Sequence, residues 1–225
     1  MKAVQKGFTL VEIAIVLVII GLLLGGILKG QEMITQAKIK NAVADFSGIS
    51  AAYYGYQDRY RAIPGDDPNA GTRWAGAGSG DGNGVVAGAY NAACPVTVAA
   101  STTSPSTTSE SCLWWDDLRR AGFVAGNGGK QPFNAFTGLL GIQTGNAAAT
   151  PAAALGGFAG LIVCSANIPD KVAIAIDTQM DDGLIGTGTV RGELQTGPNP
   201  NINDAADTTA YAETGTNTYT LCRSL

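Results

Sequence analysis

A single carboxylate, Glu12, interrupts the run FTLVEIAIVLVIIGLLLGGIL, in which nearly every other position from Phe8 to Leu28 is apolar. A charge inside an apolar helix of that length costs at least about 2.5 kcal/mol on insertion scales, so it calls for a partner. The remaining groups able to do chemistry are acids and thiols. Asp81 and Asn83, in DGNG, place oxygen ligands at alternate positions, and Asp66 and Asp67, in IPGDDPN, add two carboxylates. Such donors suit calcium, which takes roughly six to eight oxygens. Asp-Gly and Asn-Gly are equally the dipeptides of ordinary tight turns. Asp177, Asp181 and Asp182 form the densest acidic group. They read as a polar turn at a helix end, with a second cation site or an acidic subunit contact as the other options.

The absences are as informative. No histidine occurs, which removes Ser-His-Asp and Cys-His catalysis together with His-containing zinc sites. No P-loop, Rossmann fingerprint, HExxH or GxSxG is present, so no motif argues for an enzyme or an organic cofactor. The formal net charge is −4, with no basic cluster beyond the first helix. Nucleic acid is therefore not an expected partner, because phosphate neutralisation needs clustered Lys and Arg. The four cysteines, Cys94, Cys112, Cys164 and Cys222, form no CxxC pair. An even count behind an apolar segment fits export and two disulfides. Of the three pairings, Cys94–Cys112 with Cys164–Cys222 is preferred, because each bridge would tie a polar loop or tail to a denser segment.

These groups need elements to position them. Phe8 to Leu28 spans about 31 Å of helix, enough to cross a bilayer core. Lys2 and Lys6 precede it and place the N-terminus in the cytoplasm. The chain then enters KGQEMITQAKIKNAV without a turn signal. Ile39, Val43, Phe46, Ile49, Tyr53, Tyr56 and Tyr60 recur at steps of three and four as one stripe. The pattern predicts one helix from about Phe8 to Arg61, stopped before Pro64. Further on, Trp74 is expected to anchor a turn-rich loop, and Thr97–Ser111 reads as an exposed low-complexity loop open to O-glycosylation. SESCLWWDDLRRAGF predicts a short helix with one Trp facing the core and the other free for a neighbouring subunit. Phe158–Ile168 predicts a central strand. In PDKVAIAIDTQMDDG, Val172, Ala173, Ile176 and Met180 suit a helix capped by Asp170, whereas VAIAI alone suits a strand, and the last forty residues suit loops and short strands.

KGFTLVE, a basic leader ending in Gly7, then Phe8, then Glu12 as the fifth residue from Phe8, resembles the signature of type IV prepilins and type II secretion pseudopilins. The resemblance implies an α+β, type IV pilin-like fold, with a long N-terminal helix and a C-terminal antiparallel-sheet head. It implies a leader over 1–7, a membrane and filament-core half-helix over 8–30, an amphipathic half over 31–62 and an exported head over 63–225. A prepilin peptidase would cut between Gly7 and Phe8 and N-methylate Phe8. The chain would wait in the bacterial inner membrane among lipids, then join copies of itself or related pilins through an assembly platform. The partner of Glu12 would then be the Phe8 amine of a neighbouring copy. No proline lies between Phe8 and Gly30, unlike many major pilins, which leans towards a pseudopilin or minor pilin. The competing expectations are a membrane-anchored binding domain that never polymerises and an exported enzyme with an ordinary signal peptide.

Overall fold

Continuous helix-compatible sequence without proline carries helix α1, Leu10–Tyr60, through 51 residues. Arg61 ends it with a φ of 55°, the left-handed conformation that commonly closes helices. The computed structural model describes residues 7, 9–101, 106–145, 155–158, 160–202 and 206–225. Within it the chain forms two compact units, Met1–Lys40 and Asn41–Leu225.

In the first unit α1 is apolar and uncovered. Its most apolar 18-residue window has a mean hydropathy of 2.8 and no buried share, and the helix is long and apolar enough to cross a membrane. Leu10 and Leu22 are 91% and 73% exposed. So large an uncovered apolar surface is not stable in water and marks a face meant for lipid or protein.

The second unit contains the rest of α1, then α2 (Ala70–Arg73), α3 (Glu110–Arg120), β1 (Leu140–Thr144), β2 (Leu161–Pro169), α4 (Asp170–Met180), β3 (Val190–Leu194) and β4 (Thr218–Ser224). The strands make one sheet in the order β1-β2-β4-β3, with every neighbouring pair antiparallel. The last strand in the chain thus lies inside the sheet, hydrogen-bonded on both edges. Phe46, Ile49 and Tyr56 on the α1 stripe are buried. A cluster of Tyr90, Leu155, Phe158, Ile162, Cys164 and Cys222 packs against the sheet. Cys94 pairs with Cys112 and Cys164 with Cys222, the pairing preferred from the sequence. Cys164 and Cys222 are directly opposed on β2 and β4, so the second bridge links the two inner strands.

Two local expectations change and one holds. Trp114 and Trp115 are both buried, with rings 5.1 Å apart and edge to face. Every residue of α3 from Glu110 to Leu118 is buried, so the helix is enclosed all round and has no outward face for a second Trp. Neither ring stands out from the surface. Helix α4 forms, but Pro169 occupies its N-cap position. Asp170 instead accepts the N–H groups of Thr214 and Gly215 at 2.8 and 2.7 Å and holds that loop. Trp74 does anchor its loop, on Tyr56 and Tyr60 of α1.

A buried polar cluster fixes the chain after α1. Tyr56 and Arg73 donate to Asp67 Oδ2 at 2.8 and 2.6 Å, and the Gly65 N–H donates to Asp117 Oδ2 at 2.7 Å. Asp117 Oδ1 is buried with no hydrogen-bond partner among the described residues. Burial holds the Asp117 carboxyl well above the usual carboxylate range, with the nearby Asp67 and Asp116 charges adding to the effect and the Gly65 N–H opposing it. A group whose folded pKa is raised contributes its stability at low pH and loses it as pH rises through the folded value, by up to about 1.4 kcal/mol per pH unit. Asp117→Asn is therefore expected to lessen the loss of stability that the parent shows as pH rises above the ordinary carboxylate range. Thermal unfolding of both proteins over that rise in pH checks it. A parallel pH profile in the variant would contradict the assignment.

Candidate functional site

The N-terminus of α1 is built by its own side chains. The Thr9 carbonyl accepts the first helical bond, from Ile13 N at 3.4 Å. Thr9 N donates to Glu12 Oε2 at 2.8 Å and Thr9 Oγ1 donates to the same oxygen at 2.9 Å. In return, Glu12 N donates to Thr9 Oγ1 at 3.3 Å. This is a capping box, in which the N-cap hydroxyl and the glutamate three residues on satisfy each other's backbone donors. The T-x-x-E spacing that encodes it is legible in FTLVE, although the sequence reading did not use it. The box also answers part of what Glu12 pairs with. Within one chain the carboxylate is satisfied locally through Oε2, and Oε1 accepts no bond among the described residues. Phe8 and the leader residues 1–6, with Lys2 and Lys6, lie outside the described residues. The cleavage point between Gly7 and Phe8, the methylation of Phe8 and the Glu12–Phe8 pair are thus expectations of the sequence.

The acids proposed for calcium divide. Asp66 and Asp81 come together, and Glu110 joins them, with one carboxylate oxygen from each within 4.8 Å of the others. Asp67 does not. It turns into the core towards Tyr56 and Arg73, because a buried carboxylate needs charge-assisted partners. Asn83 supports the turn instead, donating from Nδ2 to Asp81 Oδ2 and accepting the Val85 N–H. Asp66 collects the N–H groups of Gly82, Asn83 and Gly84, and Glu110 those of Asp81 and Ala87. Glu110 sits 29 residues from Asp81, which is why spacing could not reveal it. Burial raises the carboxyls of both Asp66 and Glu110; nearby Asp66 and Asp81 add to the rise in Glu110.

Three hard oxygen donors of like charge at this distance suit a divalent cation, and we propose calcium there. The expected result is a higher unfolding temperature in calcium than in chelator. Calcium at about ten times its Kd would add about 1.4 kcal/mol of stability. Coincident unfolding curves would remove the ion from the account.

Asp177, Asp181 and Asp182 also converge within 4.8 Å. Their oxygens are spent on structure. Asp177 accepts the Tyr211 hydroxyl at 2.7 Å and the Gly183 N–H at 3.3 Å. Asp181 accepts the N–H groups of Thr189 and Val190, and Asp182 those of Leu184 and the Thr187 hydroxyl. The group thus builds the turn from α4 into β3. Burial pushes the Asp177 carboxyl up to about 6, with Asp182 and Asp181 contributing and the Tyr211 hydrogen bond opposing. The Thr97–Ser111 loop falls partly on residues 102–105, outside the described residues.

Residues 2–28 match the family model of the prokaryotic N-terminal methylation motif. No curated protein and no solved structure matches the chain. The matched stretch covers the leader, the Gly7–Phe8 junction, the capping box and most of the uncovered apolar helix. Its motif implies processing by prepilin peptidase and assembly of the pilin type. With that motif, a long apolar N-terminal helix and an antiparallel four-stranded sheet behind it, the chain fits a type IV pilin-like family.

Proposed function

We propose that the protein is a structural subunit of a type IV pilus or of a type II secretion-type filament. Prepilin peptidase removes residues 1–7 on the cytoplasmic side and methylates the new Phe8 amine. The subunit stays in the inner membrane through α1 until the assembly platform extracts it. Apolar helices then exchange lipid for one another in the filament core, and the sheet-bearing heads form its surface.

The observation that carries this reading is the methylation motif over residues 2–28, with Glu12 at the start of an exposed apolar helix. A carboxylate there and the cationic Phe8 amine of the next copy attract strongly in a low-dielectric setting, offsetting the desolvation of both. Only one stagger of neighbouring helices satisfies both charges, so the pair sets register. The proline-free apolar segment favours a pseudopilin or minor pilin over a major one.

Immunogold labelling with an antibody against the head tests the reading. Labelled filaments are expected in cells with prepilin peptidase, with the chain confined to the membrane, leader attached, in cells without it. A chain that is processed yet found only as single membrane-anchored copies would favour a binding domain that does not polymerise.

A further inference from the structure

A groove of about 300 Å³ opens beside α1 in the unit Asn41–Leu225, with Asp45, Gly48, Trp115, Phe123, Phe133 and Leu140 along it. Its chemistry is not accounted for by packing within the chain. Asp45 is half-buried and makes no hydrogen bond or ion pair among the described residues. Burial pushes its carboxyl above the usual range. Trp115 Nε1 is buried without an acceptor among the described residues. Phe123 and Phe133 keep 37% and 58% of their surface exposed.

The two glycines on this stretch of α1 differ in what they permit. A Cβ at Gly55 would meet the Phe123 ring at 2.8 Å, so Gly55 seats that ring against the helix. A Cβ at Gly48 would meet nothing within 4 Å. Glycine inside a helix is unfavourable relative to alanine and is used where something approaches the backbone closely. Contacts within the chain explain Gly55, whereas Gly48 leaves open space in a groove that Asp45 and the aromatic residues line together. A carboxylate flanked by aromatic faces is complementary to an ammonium or guanidinium on an apolar stem. The charge meets the acid, and stem and cation lie on the rings.

We propose that this groove is a subunit contact that receives a lysine or arginine side chain from a second copy of the chain, the cation meeting Asp45 and the stem crossing Gly48. Charge favours a second copy as occupant. Lys40 and Lys130 are exposed, form no ion pair among the described residues and do not line the groove. Each copy therefore carries the acidic groove and, elsewhere, cations able to fill another. A contact between two different patches repeats from copy to copy and generates an open helical array rather than a closed dimer. The inference deepens the filament reading and rests on it.

Photo-crosslinking of the full chain in the producing cells tests it, with p-benzoylphenylalanine replacing Phe133. The expected product contains two copies of this chain, with the label joined to a peptide of the second copy. Asp45→Lys is expected to lower its yield by roughly tenfold or more, as like charges facing across an interface do. Gly48→Leu, which fills that space, should act in the same direction. Asp45 has no hydrogen-bond or ion-pair partner among the described residues and a Cβ at Gly48 would meet nothing within 4 Å, and unfolding temperatures of the purified variants establish that the fold is retained. No self-adduct, a self-adduct undiminished by both substitutions, or adducts confined to other proteins would each overturn the proposal. Filament yield of the unlabelled chain is scored in the same cells. Its absence would count against the proposed function, whereas the adduct alone decides the groove.

Discussion

Glu12→Ala is expected to leave cleavage after Gly7 intact and to cut filament yield by roughly two orders of magnitude. The proposed junction, Gly7–Phe8, precedes Leu10, where α1 begins, so the substitution does not alter the bond that would be cut. Assembly is different. Removing one member of a buried ion pair leaves the other charge uncompensated, at a cost of about 3–5 kcal/mol. The capping box complicates the reading, because Glu12 also satisfies Thr9 within its own chain. Two controls separate the roles. Thr9→Ala removes the reciprocal hydroxyl, costs the helix about 1 kcal/mol and keeps the carboxylate, so filaments persist. Glu12→Gln retains a hydrogen-bonding side chain at the same position without the charge, so filaments are lost. Filament counts and N-terminal peptide masses from membranes report both steps. Parent-level filament yield and methylation in Glu12→Ala would contradict the pairing.

Replacing Cys164 and Cys222 together by alanine is expected to lower head stability by about 4 kcal/mol, from the loop that the bridge closes in the unfolded chain. The two residues are 58 apart in sequence, fully buried and opposed on the inner strands. For a domain of this size the loss corresponds to a fall of roughly 8–16 °C in unfolding temperature. The Cys94–Cys112 bridge closes a shorter span, 18 residues, and joins a loop to α3. Its removal should cost less, about 3 kcal/mol by the same reasoning. Thermal unfolding of the two double variants under non-reducing conditions tests the order. A larger loss from Cys94 and Cys112 would mean that loop closure does not govern the head's stability.

Much of this architecture was legible in the residues. The apolar run, the stripe through Phe46, Ile49 and Tyr56, and the lack of proline before Pro64 sufficed for α1. Its local periodicity states both where it runs and which face is covered. Strand β2 was readable from its β-branched run, whereas α4 was open between two readings, because VAIAI suits a strand as well as Val172, Ala173 and Ile176 suit a helix. Strands β1 and β3 were not readable, because the alternation in LGIQT and VRGEL runs over only five residues and includes a glycine in each, too little to separate a strand from a loop. Both lie beside inner strands that hold them by backbone hydrogen bonds rather than by their own pattern. The inner placement of β4 is equally a tertiary fact. At the sites, local spacing found Glu12, Asp66 and Asp81. It misassigned Asp67, whose partners Tyr56 and Arg73 lie 11 and 6 residues away, and passed over Glu110. The burial of both Trp114 and Trp115 was missed for a similar reason. Helical spacing says which residues share a face, and it cannot say that a helix is enclosed on every face.

A chain processed and assembled as a pilin-like subunit records the first of those events at its N-terminus. N-terminal peptide mass spectrometry on protein recovered from membranes and from sheared filaments reads it directly. The account predicts a mature chain beginning at Phe8 and heavier by one methyl group in both fractions. A mature chain still beginning at Met1, or one beginning beyond Leu28, would contradict it.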